Sequence, residues 1–187
     1  MSRWQPDARG RLQQAALELY ADHGFEQTTV SEIAARAGLT ERTFFRHFAD
    51  KREVLFDGSD LLQELFVEAV QDAPAGVTPI DAVAAALYAA AAMFQRRDHS
   101  RRRRSVIDAN PGLRERELTK LAALAAAVAD ALRRRGVSEP AASLTAEAGI
   151  AVFKVAFERW VTDDAGHDFA HFVEESLAHL RTVTTEP

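Results

Sequence analysis

The chain has 187 residues, 47% of them hydrophobic, with a formal net charge of −5 and no cysteine. That length gives one domain, or a small domain joined to a medium one, with enough apolar residues to build a core without staples. The missing cysteines exclude disulfides, thiolate metal sites and cysteine nucleophiles together, and the acidic balance argues against a general polyanion-binding surface.

The charge is unevenly placed. Met1–Phe56 holds eight basic and eight acidic residues, and the remainder holds fifteen against twenty. A neutral N-terminal part on an acidic body suits a protein that meets phosphate at one place only. The opening, Met1–Gly10, is polar, so no secretory leader is expected. The richest apolar stretch, Ala82–Phe94, falls short of the roughly 18–20 residues that span a bilayer. The expected location is the cytoplasm, with no membrane partner.

Ala and Leu dominate, β-branched alternation is missing, and apolar residues recur at helical spacing between cap residues. The fold expected is all-α, with about nine helices. The first runs from Asp7 to His23, with Gly24 as its stop. The second, Val30–Ala37, opens on a capping-box pair, Thr29 and Glu32, and ends at Gly38. The third, Glu41–His47, has Thr40 as its N-cap. Asp50, with Glu53 three residues on, opens a fourth helix that continues to Asp72. A Pro/Gly-bearing break at Ala73–Thr78 precedes Thr78–Pro79, a cap followed by proline, which starts a fifth helix reaching Arg97. A short sixth covers Arg101–Asp108. Asn110–Pro111 repeats the cap-then-proline signal for a seventh that ends near Gly136. Ser138 opens an eighth, to Val161, and Asp168–Val183 forms the ninth. No period of 20–50 residues repeats along the chain.

Three helices, the last two very short and joined through Gly38–Leu39, outline a helix-turn-helix. Gly38 supplies the residue that tolerates positive φ, and Ile33, Ala34, Ala37 and Leu39 are placed to pack the short helices together. The third helix then exposes Thr40, Glu41, Arg42, Thr43, Arg46 and His47, while Phe44 and Phe48 anchor inward. Those exposed types read base edges or hold phosphates in a major groove. The division expected is a DNA-binding domain at 1–56 and a larger helical domain at 57–187.

The run Phe25-Glu26-Gln27-Thr28-Thr29-Val30-Ser31-Glu32-Ile33-Ala34-Ala35-Arg36-Ala37-Gly38-Leu39, followed by Thr43-Phe44-Phe45-Arg46-His47-Phe48, Lys51 and Leu55, resembles the N-terminal domain of TetR-family regulators. The resemblance covers roughly Arg11–Phe56. It implies a homodimeric repressor that leaves operator DNA when a small apolar or amphipathic ligand binds. Thr29 and Lys51 match positions that hold backbone phosphates. Thr40, Arg42, Thr43 and His47 match positions facing bases or phosphates. Phe45 stands where the family most often has tyrosine, so only apolar contact is open to it.

The family resemblance also implies a ligand pocket within helices four to seven and dimerisation through helices eight and nine, which makes 57–187 the expected ligand-binding and dimerisation domain. Pocket candidates are Leu62, Leu65, Phe66, Leu87, Met93, Phe94, Leu121, Phe153, Phe157 and Trp160, aromatic and adaptable side chains suited to an apolar site. Helix eight carries small residues that let another helix approach, among them Ala146, Gly149 and Val152. Helix nine adds an apolar stripe of Phe169, Phe172, Val173, Leu177 and Leu180. These are the expected dimer interface. The segment from Arg101 through Val106-Ile107-Asp108-Ala109-Asn110-Pro111-Gly112-Leu113-Arg114-Glu115-Arg116 is similar to an actinobacterial subgroup related to the mycofactocin regulator, which implies an acyl-CoA-like effector.

The run Arg101–Arg104 reads as a solvated helix face, since four consecutive residues point all round a helix; gripping an acidic ligand is the alternative. No cofactor, metal or catalytic residue is expected. The rival readings are a helical protein-interaction module and, further off, a metalloenzyme built on His167 and His171, four residues apart before Glu174 and Glu175.

Overall fold

The computed structural model describes residues 7–185; most of the polar opening that speaks against a leader lies outside the described residues. Among them the chain forms α1 (Ala8–His23), α2 (Val30–Arg36), α3 (Glu41–His47), a short 3-10 helix (Glu53–Phe56), α4 (Ser59–Asp72), α5 (Pro79–Ala91), α6 (Arg97–Asp108), α7 (Pro111–Arg134), α8 (Ala141–Thr162) and α9 (Phe169–Thr185), with no strand. No helix of the described residues is long and apolar enough to cross a membrane.

The cap chemistry sets most of these bounds. Gly24 ends α1 at φ 87°, its N–H donating to Tyr20 O. Thr78 accepts from Asp81 N ahead of Pro79, and the Asp168 carboxylate accepts from His171 N at the start of α9. Asn110 works backward instead: its Nδ2 donates to Val106 O, 2.6 Å away, closing the end of α6.

The expected fourth helix is interrupted. Asp50 does cap, accepting from Arg52 N and Glu53 N at 2.7 and 3.0 Å. The turn it opens is the 3-10 helix, and Gly58, at φ 88°, throws the chain into the left-handed region before α4 begins at Ser59. The Glu53 carboxylate pairs with Arg116. The fifth helix is also shorter than expected. It stops at Ala91, where the N–H groups of Met93 and Phe94 make tight bonds to Ala90 O and Ala91 O.

The chain divides into two compact units. One holds residues up to Asp57 together with Arg102–Glu117, and the other holds Gly58–Arg101 with everything from Leu118 onward. A single cut at 56/57 therefore does not describe it. In the first unit, α1, α2, α3 and the 3-10 helix share a core with Val106, Ile107 and Leu113. Arg103 pins that addition in place. Its Nε donates to Leu55 O at 2.6 Å, Nη1 lies 3.2 Å from the Glu117 carboxylate, and the guanidinium sits over the Phe56 ring. Burial pulls its pKa below the ordinary arginine value while Glu117 pulls the other way.

In the second unit, α5, α8 and α9 enclose the core with α4 and α7. Small residues of α8 do admit a neighbouring helix, but that helix is α5 of the same chain. A Cβ on Gly149 would lie 2.3 Å from Val83 Cγ1, so only glycine fits there without displacement. At one end of this core six rings gather: Phe66, Phe94, Phe153, Phe157, Trp160 and Phe169. The Phe94 centroid is 4.8 Å from that of Phe169 and 6.1 Å from that of Trp160, in the edge-on and tilted geometries aromatic pairs favour.

Candidate nucleic-acid interface

The helix-turn-helix is fixed at the start of α2 and at the turn that follows it. Thr29 Oγ1 accepts from Glu32 N at 3.2 Å, and the Glu32 carboxylate accepts from Thr29 N and Thr29 Oγ1, both at 2.8 Å. These bonds from Thr29, backbone first and hydroxyl second, hold the Glu32 carboxyl below its usual pKa. Gly38 adopts φ 65°, and Leu39 N donates back to Ala34 O at 2.8 Å. Beneath it the Arg11 guanidinium donates to Ala37 O and Gly38 O, and a Cβ on Gly38 would come within 3.0 Å of Arg11 Nη2. Sequence reasoning had not singled out Arg11. It answers carbonyls at the end of α2 that the helix itself leaves without donors.

α3 stands on Phe44 and Phe48, both buried. Thr40 caps it, accepting from Thr43 N at 3.2 Å, with the two hydroxyls 3.1 Å apart. Glu41, Arg42, Phe45 and Arg46 are exposed, Thr43 and His47 half-buried. Arg46, expected to be exposed on this helix but given no family-matched role, follows Arg42 at i, i+4 spacing. Neither arginine has an ion-pair partner among the described residues. Elsewhere in this unit Arg9, Arg36, Arg52, Arg103, Arg104 and Arg116 pair with carboxylates, while Arg102 and Arg114 have no ion pair among the described residues. His47 is less available than its position suggests, because its Nε2 is buried without a hydrogen-bond partner.

Lys51, the expected phosphate contact, is engaged within the chain. Its ammonium donates to Phe25 O, Glu26 O and Thr28 O at 2.8, 3.1 and 2.9 Å, and sits 4.5 Å from the Phe25 ring centroid. A lysine has three N–H donors, and all three are engaged. Tyr20 Oη donates to Lys51 O at 2.6 Å, and burial, reinforced by the Asp50 charge, pushes the phenol well above its usual range so that it stays a donor. Lys51 is therefore a staple that holds the loop before α2, and so positions Thr29.

The remaining candidates lie in the second unit. Nine of the ten pocket candidates are in or against the core, while Met93 is 38% exposed. The expected dimer residues contribute to the chain's own packing. Ala146, Gly149, Val152, Phe169, Phe172, Val173 and Leu177 are all buried, with Leu180 packed against the same cluster, so a second subunit has almost no surface to reach there. The large apolar residues of these helices that are exposed are Leu144 at 67%, Val155 at 49% and Val183 at 72%.

The four consecutive arginines Arg101–Arg104 do point all round α6. Arg101 donates to Val161 O and Arg104 to Asp108, Arg103 is the clamp described above, and Arg102 is exposed. His167 and His171 stack at 4.4 Å, each beside one carboxylate, Asp163 and Glu175 respectively. No group of three metal-ligating side chains that could hold an ion occurs among the described residues.

Residues 12–57 match the family described as "Bacterial regulatory proteins, tetR family", and residues 77–185 match the "MftR C-terminal domain". The chain belongs to the TetR family of transcriptional regulators. The regulator is 29% identical to the protein described as a mycofactocin biosynthesis transcriptional regulator, MftR, from Mycobacterium tuberculosis, over 82% of this chain and 80% of that one. It is 42% identical to the HTH-type transcriptional regulator TcmR of Streptomyces glaucescens, over 43% of this chain and only 36% of that relative. Among solved structures it resembles Thermus thermophilus FadR, a TetR-family transcriptional repressor in complex with lauroyl-CoA, at 25% identity, 96% coverage of both chains and TM-score 0.56. Its relatives are DNA-binding regulators, and it is a regulator rather than an enzyme.

Proposed function

We propose that this regulator is a cytoplasmic homodimeric repressor that holds an operator through the exposed face of α3 and leaves it when an amphipathic ligand binds, with a long-chain acyl thioester the first candidate. The observation that carries DNA reading is the pair of unpartnered guanidinia, Arg42 and Arg46, beside the Thr40–Thr43 cap on a helix otherwise anchored by Phe44 and Phe48. Cations left without acid partners on one short helix await an anion from outside, and arginine also reads guanine edges.

Dimerisation rests on the exposed face of α8. Leu144, Ala148, Ala151 and Val155 follow that face at helical spacing, all exposed or half-exposed, and Ala178 and Val183 of α9 are exposed too. A second copy related by a two-fold axis covers such a stripe with itself. The acyl thioester is favoured by the 25% identity, over nearly the whole chain, to a repressor that holds lauroyl-CoA.

The test is selection of a preferred duplex from a randomised pool, followed by binding at several salt concentrations. Arg42→Ala and Arg46→Ala should each weaken binding, and removal of one phosphate contact should flatten the salt slope by about 0.9. Lauroyl-CoA should raise the melting temperature and lower operator affinity, and operator should lower the affinity for lauroyl-CoA by the same factor. A pool that yields no preferred duplex refutes operator recognition. Stabilisation by the thioester with no effect on DNA affinity refutes ligand release.

A further inference from the structure

On the exposed face of α3, between Arg42 and Arg46, lies a side chain that neither pairs nor packs fully. Phe45 is 55% exposed. Single exposed apolar residues are ordinary on a protein surface, but this one occupies the middle of the face assigned above to DNA. Its ring is also held. It meets Phe44 edge-on, centroids 5.4 Å apart at 83°, and Phe44, fully buried, packs in turn on Phe48 at 5.5 Å. An aromatic ring fixed at its inner edge presents its outer edge and face with few rotamers to lose on binding.

The chemistry of that ring restricts what it can face. Phenylalanine has neither donor nor acceptor. In the major groove guanine shows two acceptors, adenine an acceptor and a donor, cytosine a donor, and thymine an acceptor beside the C5 methyl. Covering any of the first three removes polar atoms from water with nothing in return, which is costly. Only thymine offers an apolar group of matching kind. We infer that Phe45 reads a thymine in each half-site by covering its C5 methyl, and so sets base preference at that position. The inference rests on the operator reading proposed above. It also gives the two flanking guanidinia a register: they hold phosphate or guanine on either side of a base that the ring selects.

Deoxyuridine differs from thymidine only by that methyl, so it isolates the contact. The full-length regulator is titrated against the duplex recovered from the randomised pool, and against the same duplex with each thymine in turn replaced by uracil in both half-sites, at one fixed salt concentration. At one position the replacement should weaken wild-type binding by about fourfold per half-site, the transfer value of one methyl group. In Phe45→Ala the same replacement should have no effect, while Phe45→Tyr, which keeps the ring, should retain it. Because Phe45 is exposed, Phe45→Ala should melt as wild type does, which separates removal of the ring from damage to the fold. Equal wild-type affinity for every uracil duplex overturns the thymine assignment and leaves operator binding standing. A uracil effect that persists unchanged in Phe45→Ala also overturns it, since another side chain then reads the methyl. A pool without any preferred duplex overturns the operator reading and this inference with it.

Discussion

Replacing Leu144 and Val155 together with glutamate should convert the proposed dimer into a folded monomer. Fully covering a side chain of this size is worth about 2 kcal/mol. Leu144 is 67% exposed and Val155 49%, so a partner that hid the remainder would gain roughly 1.3 and 1 kcal/mol from them. A two-fold interface counts each twice, giving about 4–5 kcal/mol, or some three powers of ten in the dissociation constant. A carboxylate at either place adds its own desolvation cost wherever it is not released to water. Sedimentation equilibrium over a concentration series reads the constant, and circular dichroism on the same samples reads the fold. Phe172→Glu is the contrast: Phe172 is 6% exposed and lies within the core, so that variant should lose thermal stability rather than yield an intact monomer. A Leu144→Glu/Val155→Glu protein that remains dimeric wherever wild type does would place the interface elsewhere and remove the reasoning from exposure.

Three further outcomes follow from particular contacts. Lys51→Met should lower stability by about 2 kcal/mol or more through loss of charged hydrogen bonds, and should weaken operator binding without changing its salt slope; a slope that falls by about one unit would return Lys51 to the phosphate backbone. Gly149→Ala should destabilise by about 1–2 kcal/mol in chemical denaturation, since overpacking exceeds the helix-propensity gain of the added methyl. The same change made in a Val83→Ala background should cost little, and equal costs in both backgrounds would mean the two helices do not meet there. Glu32, whose carboxyl is lowered on folding, contributes stability that is complete above its unfolded pKa of about 4.3 and disappears as pH falls through the lower folded value. Glu32→Gln should therefore be less stable than wild type at pH 7 and converge with it in acid; a constant difference across that window would show that the ionised carboxylate is not what counts.

Where cap residues fixed an element locally, its bounds were readable in advance. Thr29 with Glu32, Thr40, Thr78 before Pro79, and Gly24 each act on their own helix terminus, and α1, α2, α3 and the start of α5 fall where those residues place them. The break at Gly58 was harder, since a glycine inside an apolar period is tolerated as often as it interrupts. The side that α8 would turn to a partner was harder still. That helix carries two apolar faces, one with Gly149 and Val152 and one with Leu144 and Val155, and periodicity ranks them by content, not by what covers them. The richer face went to the chain's own α5, because a close approach needs the glycine. Lys51 shows the limit at a single side chain. Its place was legible, but three carbonyls converging from the loop at 25–28 depend on how that loop is folded, which no local pattern specifies. Arg103, one of four consecutive arginines, was likewise indistinguishable from its neighbours until Leu55, Phe56 and Glu117 were in place around it.

The six-ring cluster of the second unit makes the regulator its own optical probe. Trp160 is 2% exposed, bordered by Phe94, Phe157 and Phe169, with the Arg97 guanidinium 5.6 Å above its ring. Indole emission in such surroundings is shifted to short wavelength and responds to a cation moving across its face. The other tryptophan of the sequence is Trp4, so Trp4→Phe leaves a single emitter, and it stands among the very residues expected to meet an effector. A titration followed by that emission would register occupancy of this core without label, operator or coupled assay, and separately from whatever happens at α3.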